Sequence, residues 1–417
     1  MRLTRLVDYA LWLLLLLSLM RTTVLIRRRD TSEFNAIDSS ATFAVLIVAT
    51  ILGLLVVHPR ARGTLMKLQS SSAILLLVYL AVAAFSAFWS QEPLYTLFRA
   101  GEVLAVFGAL YVLMDGYSNW RDAERAMLWT LMIVTVLSLM QRVMTGGISV
   151  QGLHTNVYTV TAGMGFLYAL GESLRADPLR KAALRRWAGV FVIFAILGTS
   201  AGSNIAIALG MLVLLPFLSR SKVIVIPAAV ACLALVVVMG TSEQLLSTTV
   251  LTGRSVDEVS HLTGRFFLWQ GYWNAFIEQP LIGQGFAIVA RIGDQFGTLA
   301  TTNAHNGYIE ALAGLGIIGF ALLVYHSIRL TIETVAASRA RIAGGLGSLA
   351  AVVMLLVNNN SKSILGGAFD PTVVGALAVL AFLHTFTLRA TREQADIQRR
   401  GTPMAPQATG EPTPARQ

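Results

Sequence analysis

Apolar runs of about 18 residues, the length a helix needs to cross the roughly 30 Å hydrocarbon core of a bilayer, recur along this chain from residue 9 to residue 388. No other feature limits the fold so tightly. A backbone inside hydrocarbon must satisfy its own polar groups, so it forms helices or closed barrels. The runs are continuous rather than alternating, which selects helices. Charged residues make up only 13% of the chain and hydrophobic ones 55%, against about 25% charged in a usual soluble domain. So little charge cannot coat a water-facing surface of 417 residues. The expected fold class is an all-α polytopic membrane protein.

About twelve spans are expected, near residues 9–26, 41–58, 72–89, 97–114, 125–142, 154–171, 188–201, 203–219, 222–240, 313–330, 342–358 and 371–388. Residues 188–219 are ambiguous, too long for one ordinary helix and too short for two full ones. The polar GTSAGSN (198–204) interrupts them, which fits a broken helix or a short-helix hairpin. Charge favours the hairpin, because it gathers most of the 32 Lys and Arg residues on one side, as cytoplasmic loops require. Arg27, Arg28 and Arg29 fall on the other side, against that rule.

The expected layout is a membrane bundle of about nine spans over 1–240 and an extracytoplasmic loop over 241–304. Membrane helices follow over 305–388, then a polar, Pro-rich, disordered tail over 389–417. Both termini are then cytoplasmic. Arg2 and Arg5 precede an apolar stretch as in a signal peptide, but no cleavage pattern follows, so a retained first helix is expected. The net charge of +10 sits in alternate loops, a pattern of membrane orientation and not of nucleic-acid binding. Cys232 stands alone, so no disulfide framework exists.

The loop 241–304 is not a bland connector. It holds TGRFFLWQGYWNAFIEQPLIGQG (263–285), where Phe266, Phe267, Trp269, Tyr272, Trp273 and Phe276 crowd together. Such a run suits a helix at the membrane–water boundary, ended by Pro280 and followed by a turn at Gly283 and Gly285. The loop closes on TTNAHNGYIEALAGLGIIG (301–319), where a polar cluster meets the next apolar helix.

Gly264, Arg265 and Trp269, then Gln279, Pro280, Leu281, Gly283 and Gly285, precede Ala304, His305, Asn306 and Tyr308, with Gly316 and Gly319 beyond. This pattern resembles the O-antigen ligase and polymerase superfamily. FWSQEPLYTLFRA (88–100) resembles a WS-x-x-P segment of its exopolysaccharide polymerase branch. The resemblance implies a GT-C-like membrane glycosyltransferase. It would move a glycan from a polyprenyl-pyrophosphate carrier to a glycan acceptor at the outer face of the cytoplasmic membrane. A flippase and a chain-length regulator are the protein partners such a system implies.

Many ligase members carry an Arg after the Ser of the short-helix hairpin. Here LGTSAGSNIAIALG (197–210) has no charge, which moves the expectation from ligase toward polymerase. The alternatives are a ligase moving finished glycan to lipid A core or protein, and a sugar or lipid transporter. A transporter should line a path between both faces with polar groups. Here polar residues concentrate on one side, in 241–306. No HExxH, Cys/His metal spacing, carboxylate cluster or P-loop occurs, so no metal or other cofactor is expected. A lipid-pyrophosphate donor carries its own energy.

Transfer of this kind needs a base for the attacking hydroxyl and positive charge for the departing diphosphate. His305 suits the first role, since imidazole titrates near about 6.5. Arg265 suits the second, because a guanidinium stays charged and matches phosphate geometry; the alternative is a grip on lipid headgroups. Arg254 and Arg291 either assist or are simply solvated. Asn306 orients His305 or caps the following helix. Trp269 and Trp273 stack on sugar or prenyl surfaces or anchor the helix in the membrane.

His154 and His261 are rival bases, while His58, His326 and His384 fall toward the inner side. An Arg99–Glu102 pair on one helix face explains an acid within a span. Asn358, Asn359, Asn360 and Lys362 form a polar outer turn that could touch glycan.

Overall fold

The computed structural model describes residues 2–23, 39–69, 71–144, 156–198, 200–218, 265–297 and 303–391. Among these residues all regular structure is helical. The helices are α1 (Arg2–Thr23), α2 (Ser39–Val57), α3 (Ala61–Leu68), α4 (Ser72–Phe85), α5 (Pro93–Asp115) and α6 (Trp120–Met144). They continue as α7 (Asn156–Ser173), α8 (Pro178–Ile196), α9 (Ala201–Leu218), α10 (Arg265–Glu278), α11 (Gly307–Arg339), α12 (Gly345–Asn358) and α13 (Pro371–Phe382). A π-helical turn, Leu383–Thr387, extends α13. The expected span 222–240, Cys232, Arg254, His154, His261 and the tail beyond residue 391 lie outside the described residues.

Five helices are long and apolar enough to cross a membrane: Thr4–Thr23, α5, α6, α11 and Pro371–Thr391. A sixth is gained if α2 and α3, bent by 86° at the break between them, count as one span. The chain is therefore an all-helical, polytopic membrane protein. By length and composition the described residues do not reach the expected twelve. Ser72–Phe88, Gly202–Phe217 and Gly345–Asn358 are apolar but shorter.

The bundle is built around α13. Every residue from Pro371 to Phe382 is buried, as expected of a helix apolar on all sides. It packs against α5, α6 and α7, and Asp370 starts it by accepting the backbone N–H of Thr372 at 2.7 Å. Peripheral helices expose the apolar side chains instead: Leu13 on α1, Val56 on α2, Ile193 and Ile196 on α8, and Ile328 and Ile332 on α11. In water such a surface would aggregate; in lipid it is solvated.

The boundaries follow local chemistry. Asp177 accepts the N–H of Arg180 at 3.0 Å and Pro178 occupies the first turn, so α8 begins before the apolar run that marks it. The break after α8 falls at Leu197–Ser200, within the polar stretch read as a hairpin, and α8 and α9 both pack on α7.

Polar networks sort to the two ends of the bundle. At one end Lys67 pairs with Asp115 at 2.7 Å, His58 and Arg60 both meet Asp8, and Arg180 bridges Glu124 and Glu172. His384 bonds Ser72 and Tyr111 at 2.8 Å each, and His326 bonds the Ser72 carbonyl. The opposite end carries His305 and the candidate site.

Candidate active site

The site is organised by a break in α11. Gly316 has φ +63°, a conformation that leaves the helix. An unbroken helix would bond the N–H of Ile317 to the carbonyl of Ala313, and that of Ile318 to Gly314. Instead, Ile317 N–H bonds Pro280 at 2.9 Å and Ile318 N–H bonds Leu281 at 3.4 Å. The abandoned carbonyls of Ala313 and Gly314 accept Gln284 N–H and Gly285 N–H at 3.0 and 2.8 Å. The turn PLIGQG thus restores, strand-like, the hydrogen bonds that the break removes. No buried backbone group is orphaned by this exchange.

Two glycines make that approach feasible. Gly283 has φ +67°, and a Cβ there would overlap the carbonyl of Gly314. A Cβ at Gly316 would overlap the carbonyl of Leu281. The segment 86–92 closes the other side of the turn. Trp89 donates its indole N–H to Gly283 O at 3.0 Å, and Ser86 Oγ accepts the N–H of Phe286 at 2.9 Å. The two sequence segments that carried the family resemblance therefore pack on one another.

Above this platform sits a small second core of Tyr272, Ala275, Ile288, Val289, Ile292, Phe296, Ala304 and Ala313, flanked by Tyr95, Trp269 and Ile309. It fixes α10 and the loop 286–296 against the start of α11. Helix α10 is amphipathic in place. Tyr272 and Ala275 are buried, whereas Trp273 and Ile277 are exposed and suit a membrane boundary. Burial lifts the Tyr272 phenol well above its ordinary range, with Glu310 adding to the shift. It therefore stays protonated. A small cavity lies between Tyr272, Ala287, Val289, Glu310, Gly314 and Ala368.

His305 is half-buried on the short link into α11, with φ +55°. A non-glycine residue in that region carries strain of about 1–3 kcal/mol and persists only where its neighbours impose it. Four contacts impose it here. Trp269 Nε1 donates to the carbonyl of Ala304 at 3.0 Å. Glu310 Oε1 accepts the N–H of the same residue at 2.6 Å. Asn303 Oδ1 accepts the N–H of His305 at 3.1 Å. Asn306 Oδ1 accepts the N–H groups of Tyr308 and Ile309 at 3.0 and 3.2 Å. Asn306 is thus the cap of α11, the simpler of its two expected roles.

The polar turn after α12 is tied to the same link. Gly307 N–H bonds Asn359 O at 2.8 Å. Asn359 Oδ1 holds the N–H groups of Ile364 and Leu365 at 3.0 and 2.8 Å. Asn358 and Asn359 are fully buried and Lys362 pairs with Asp370, so most of this turn is built into the fold. Asn360 is its exposed member.

Arg291 is not simply solvated. It pairs with Glu92 at 2.7 Å and lies 4.4 Å from the centre of the Tyr95 ring. The expected Arg99–Glu102 pair forms at 3.0 Å, and Arg21 joins it on the same carboxylate. Trp269 has its indole N–H on Ala304 and its ring against the small core. Arg265 is the first residue of α10, four residues before Trp269. His58, His326 and His384 belong to the far end of the bundle.

Glu310 was missed in the sequence. An acid in the first turn of an apolar helix, five residues after a candidate base, is the signal that would have found it. Among the described residues, no three His, Cys, Asp or Glu side chains are grouped to hold a metal ion.

Comparison with known proteins bears on this end of the molecule. Residues 187–324 match the O-antigen ligase family. The O-antigen ligase match runs from α8 across the break at 197–200 to α10, the PLIGQG turn, His305 and the kink of α11, so it takes in most of the platform just described. The chain is also similar to the exopolysaccharide production protein ExoQ of Rhizobium meliloti (strain 1021). Identity is 39% over 74 residues, covering 15% of this chain and 17% of that relative. The match therefore spans only a small part of the relative's length. Together these matches bear out the O-antigen ligase and polymerase superfamily resemblance.

Proposed function

We propose that this chain is a glycosyltransferase polymerising polyprenyl-pyrophosphate-linked repeat units into surface or exo-polysaccharide at the outer face of a bacterial cytoplasmic membrane. The observation that carries the reading is the enforced left-handed backbone of His305. Strain held in place by four separate contacts is the mark of a side chain aimed at a task. Similarity to ExoQ, a protein named for exopolysaccharide production, favours polymer synthesis. The reading includes a GT-C-like arrangement of about twelve spans. The end rich in Lys and Arg faces the cytoplasm, as do both termini.

In this mechanism the imidazole of His305 takes the proton of an acceptor hydroxyl. That oxygen bonds to the anomeric carbon of the donor glycan while the bond from that carbon to the diphosphate oxygen breaks. Arg265, in the first turn of α10, neutralises the charge gathering on the departing lipid diphosphate. The chain needs no metal in this scheme, because the donor is already activated. A flippase supplying the donor and a regulator of chain length are its natural partners.

The second reading is a ligase using the same residues with lipid A core or protein as acceptor. The description of the matching family as O-antigen ligase favours it. Glycan ladders from cells carrying His305→Ala or Arg265→Ala at normal protein levels separate the two. Polymerase loss leaves single repeat units; ligase loss strands long chains on the carrier lipid. Unchanged ladders in both variants would remove the assignment.

A further inference from the structure

We infer that Tyr272 and Glu310 form a pocket for one hydroxyl group of the acceptor glycan, and thereby select which of its other hydroxyls reaches His305. The inference rests on the glycosyl-transfer reading above. Tyr272 is only 3% exposed. A buried phenol usually finds a hydrogen-bond partner, yet the Tyr272 hydroxyl has none among the described residues. Burial keeps it protonated, so it is a donor held in reserve. The side chain lines the cavity that it shares with Glu310.

Glu310 supplies the acceptor. Its Oε1 takes the N–H of Ala304 at 2.6 Å, and a carboxyl group has a second oxygen and further lone pairs to offer. Gly367 gives that second oxygen room, because a Cβ there would overlap Oε2. A donor and an acceptor thus border one cavity, and a hydroxyl satisfies both, since it accepts through a lone pair and donates its own proton. The cavity holds one group about the size of a water molecule. That fits a single hydroxyl and excludes a whole sugar ring. Ala287, part of the lining, has φ +60°. It and His305 are the two left-handed non-glycine residues described at this end of the bundle, and such strain persists only where the surroundings impose it.

Position gives the pocket its meaning, because both polar walls are tied to the residue before His305. Trp269, one turn before Tyr272 on α10, bonds the Ala304 carbonyl at 3.0 Å, and Glu310 bonds the N–H of the same residue. By that bond and standard backbone lengths, Glu310 Oε1 lies within about 8 Å of the His305 Cα. A sugar ring carries hydroxyls at several points of its rim, so one seated between Tyr272 and Glu310 leaves another to meet the imidazole. The pocket serves the acceptor because the base acts on the acceptor, and the donor's diphosphate is assigned to Arg265.

The test measures glycan transfer by the full-length protein in nanodiscs. The donor is the carrier-linked repeat unit isolated from the same cells. The acceptors are the farnesyl-diphosphate-linked repeat unit and a set of its monodeoxy derivatives. Wild type should reject one monodeoxy acceptor by about tenfold or more in kcat/KM, because the pocket's polar groups then lose their partner. Tyr272→Phe should melt at the wild-type temperature and raise the KM of the full acceptor about tenfold with kcat nearly unchanged. It should also treat that deoxy acceptor and the full one alike. Glu310→Gln, which keeps an oxygen for Ala304, should show the same loss of selectivity; if it does not fold, Tyr272→Phe decides alone. A Tyr272→Phe protein that still rejects the same deoxy acceptor overturns the pocket. A lower melting temperature in Tyr272→Phe also overturns it, since the hydroxyl then serves the fold through an ordered water only. Selectivity lost against deoxy donors instead of deoxy acceptors overturns the acceptor assignment. No transfer by wild type to any acceptor would remove the glycosyl-transfer reading itself, whereas normal transfer with unchanged selectivity removes only this pocket.

Discussion

The indole N–H of Trp269 donates to the carbonyl of Ala304 at 3.0 Å, so the aromatic helix α10 grips the residue immediately before His305. Glu310 takes the N–H of Ala304 from the other side at 2.6 Å. One peptide unit is thus clamped at both its polar atoms, and the strained His305 follows from it. We propose on this contact that Trp269 acts as a positioning residue. Trp269→Phe keeps the ring and loses one hydrogen bond of about 1 kcal/mol. Glycan transfer should fall roughly five- to tenfold in turnover with little change in donor affinity. A fall in affinity alone would point to direct substrate contact.

The exchange of hydrogen bonds between PLIGQG and the break at Gly316 predicts a shared fate for two glycines. Gly283→Ala and Gly316→Ala each place a Cβ into the other segment's backbone, at a positive φ that alanine resists. Each should cost more than about 1 kcal/mol. Because the residues act on one contact, the double variant should be less destabilised than the sum of the singles. Melting temperatures in detergent measure this; strict additivity would mean the two segments do not depend on each other.

Ser86→Ala removes the acceptor for the N–H of Phe286, both groups being buried. An orphaned buried donor costs about 1–3 kcal/mol. The loss should appear as reduced stability and as protease cleavage within 279–297, while Ser90→Ala, which removes a hydroxyl pair with Thr96 and a longer 3.3 Å bond from the half-buried N–H of Glu92, should do less to that segment.

Asn306 separates capping from chemistry. Asn306→Ala should cost about 1 kcal/mol through the lost cap of α11. Asn306→Asp restores an acceptor for Tyr308 and Ile309 and should recover stability. Activity that stays low in a stable Asn306→Asp protein would show that the amide does more than cap.

Much of the bundle was legible because apolar runs are local. The run at 97–114 became α5 with Pro93 and Gly116 marking its ends. Other limits were hidden by charge. Arg180, Lys181, Arg185 and Arg186 lie inside α8, so an apolar-run reading starts that helix ten residues late. The site was legible only as motifs. That Gly283, Gly285 and Gly316 serve one docking event, or that Trp89 belongs to it, depends on contacts between segments nearly two hundred residues apart. Sequence spacing carries no record of such partners. Glu310 is a different case: its partner Ala304 is only six residues away, and an acid in the first turn of an apolar helix was a local signal for it.

The central claim is that His305 serves as the base of a transfer reaction. It is tested most directly by single-turnover transfer between two lipid-diphosphate-linked repeat units, using purified protein in nanodiscs. His305→Ala should lower the chemical rate by about a hundredfold or more while leaving donor binding and melting temperature unchanged. A folded His305→Ala protein that transfers glycan at the wild-type rate would contradict the account.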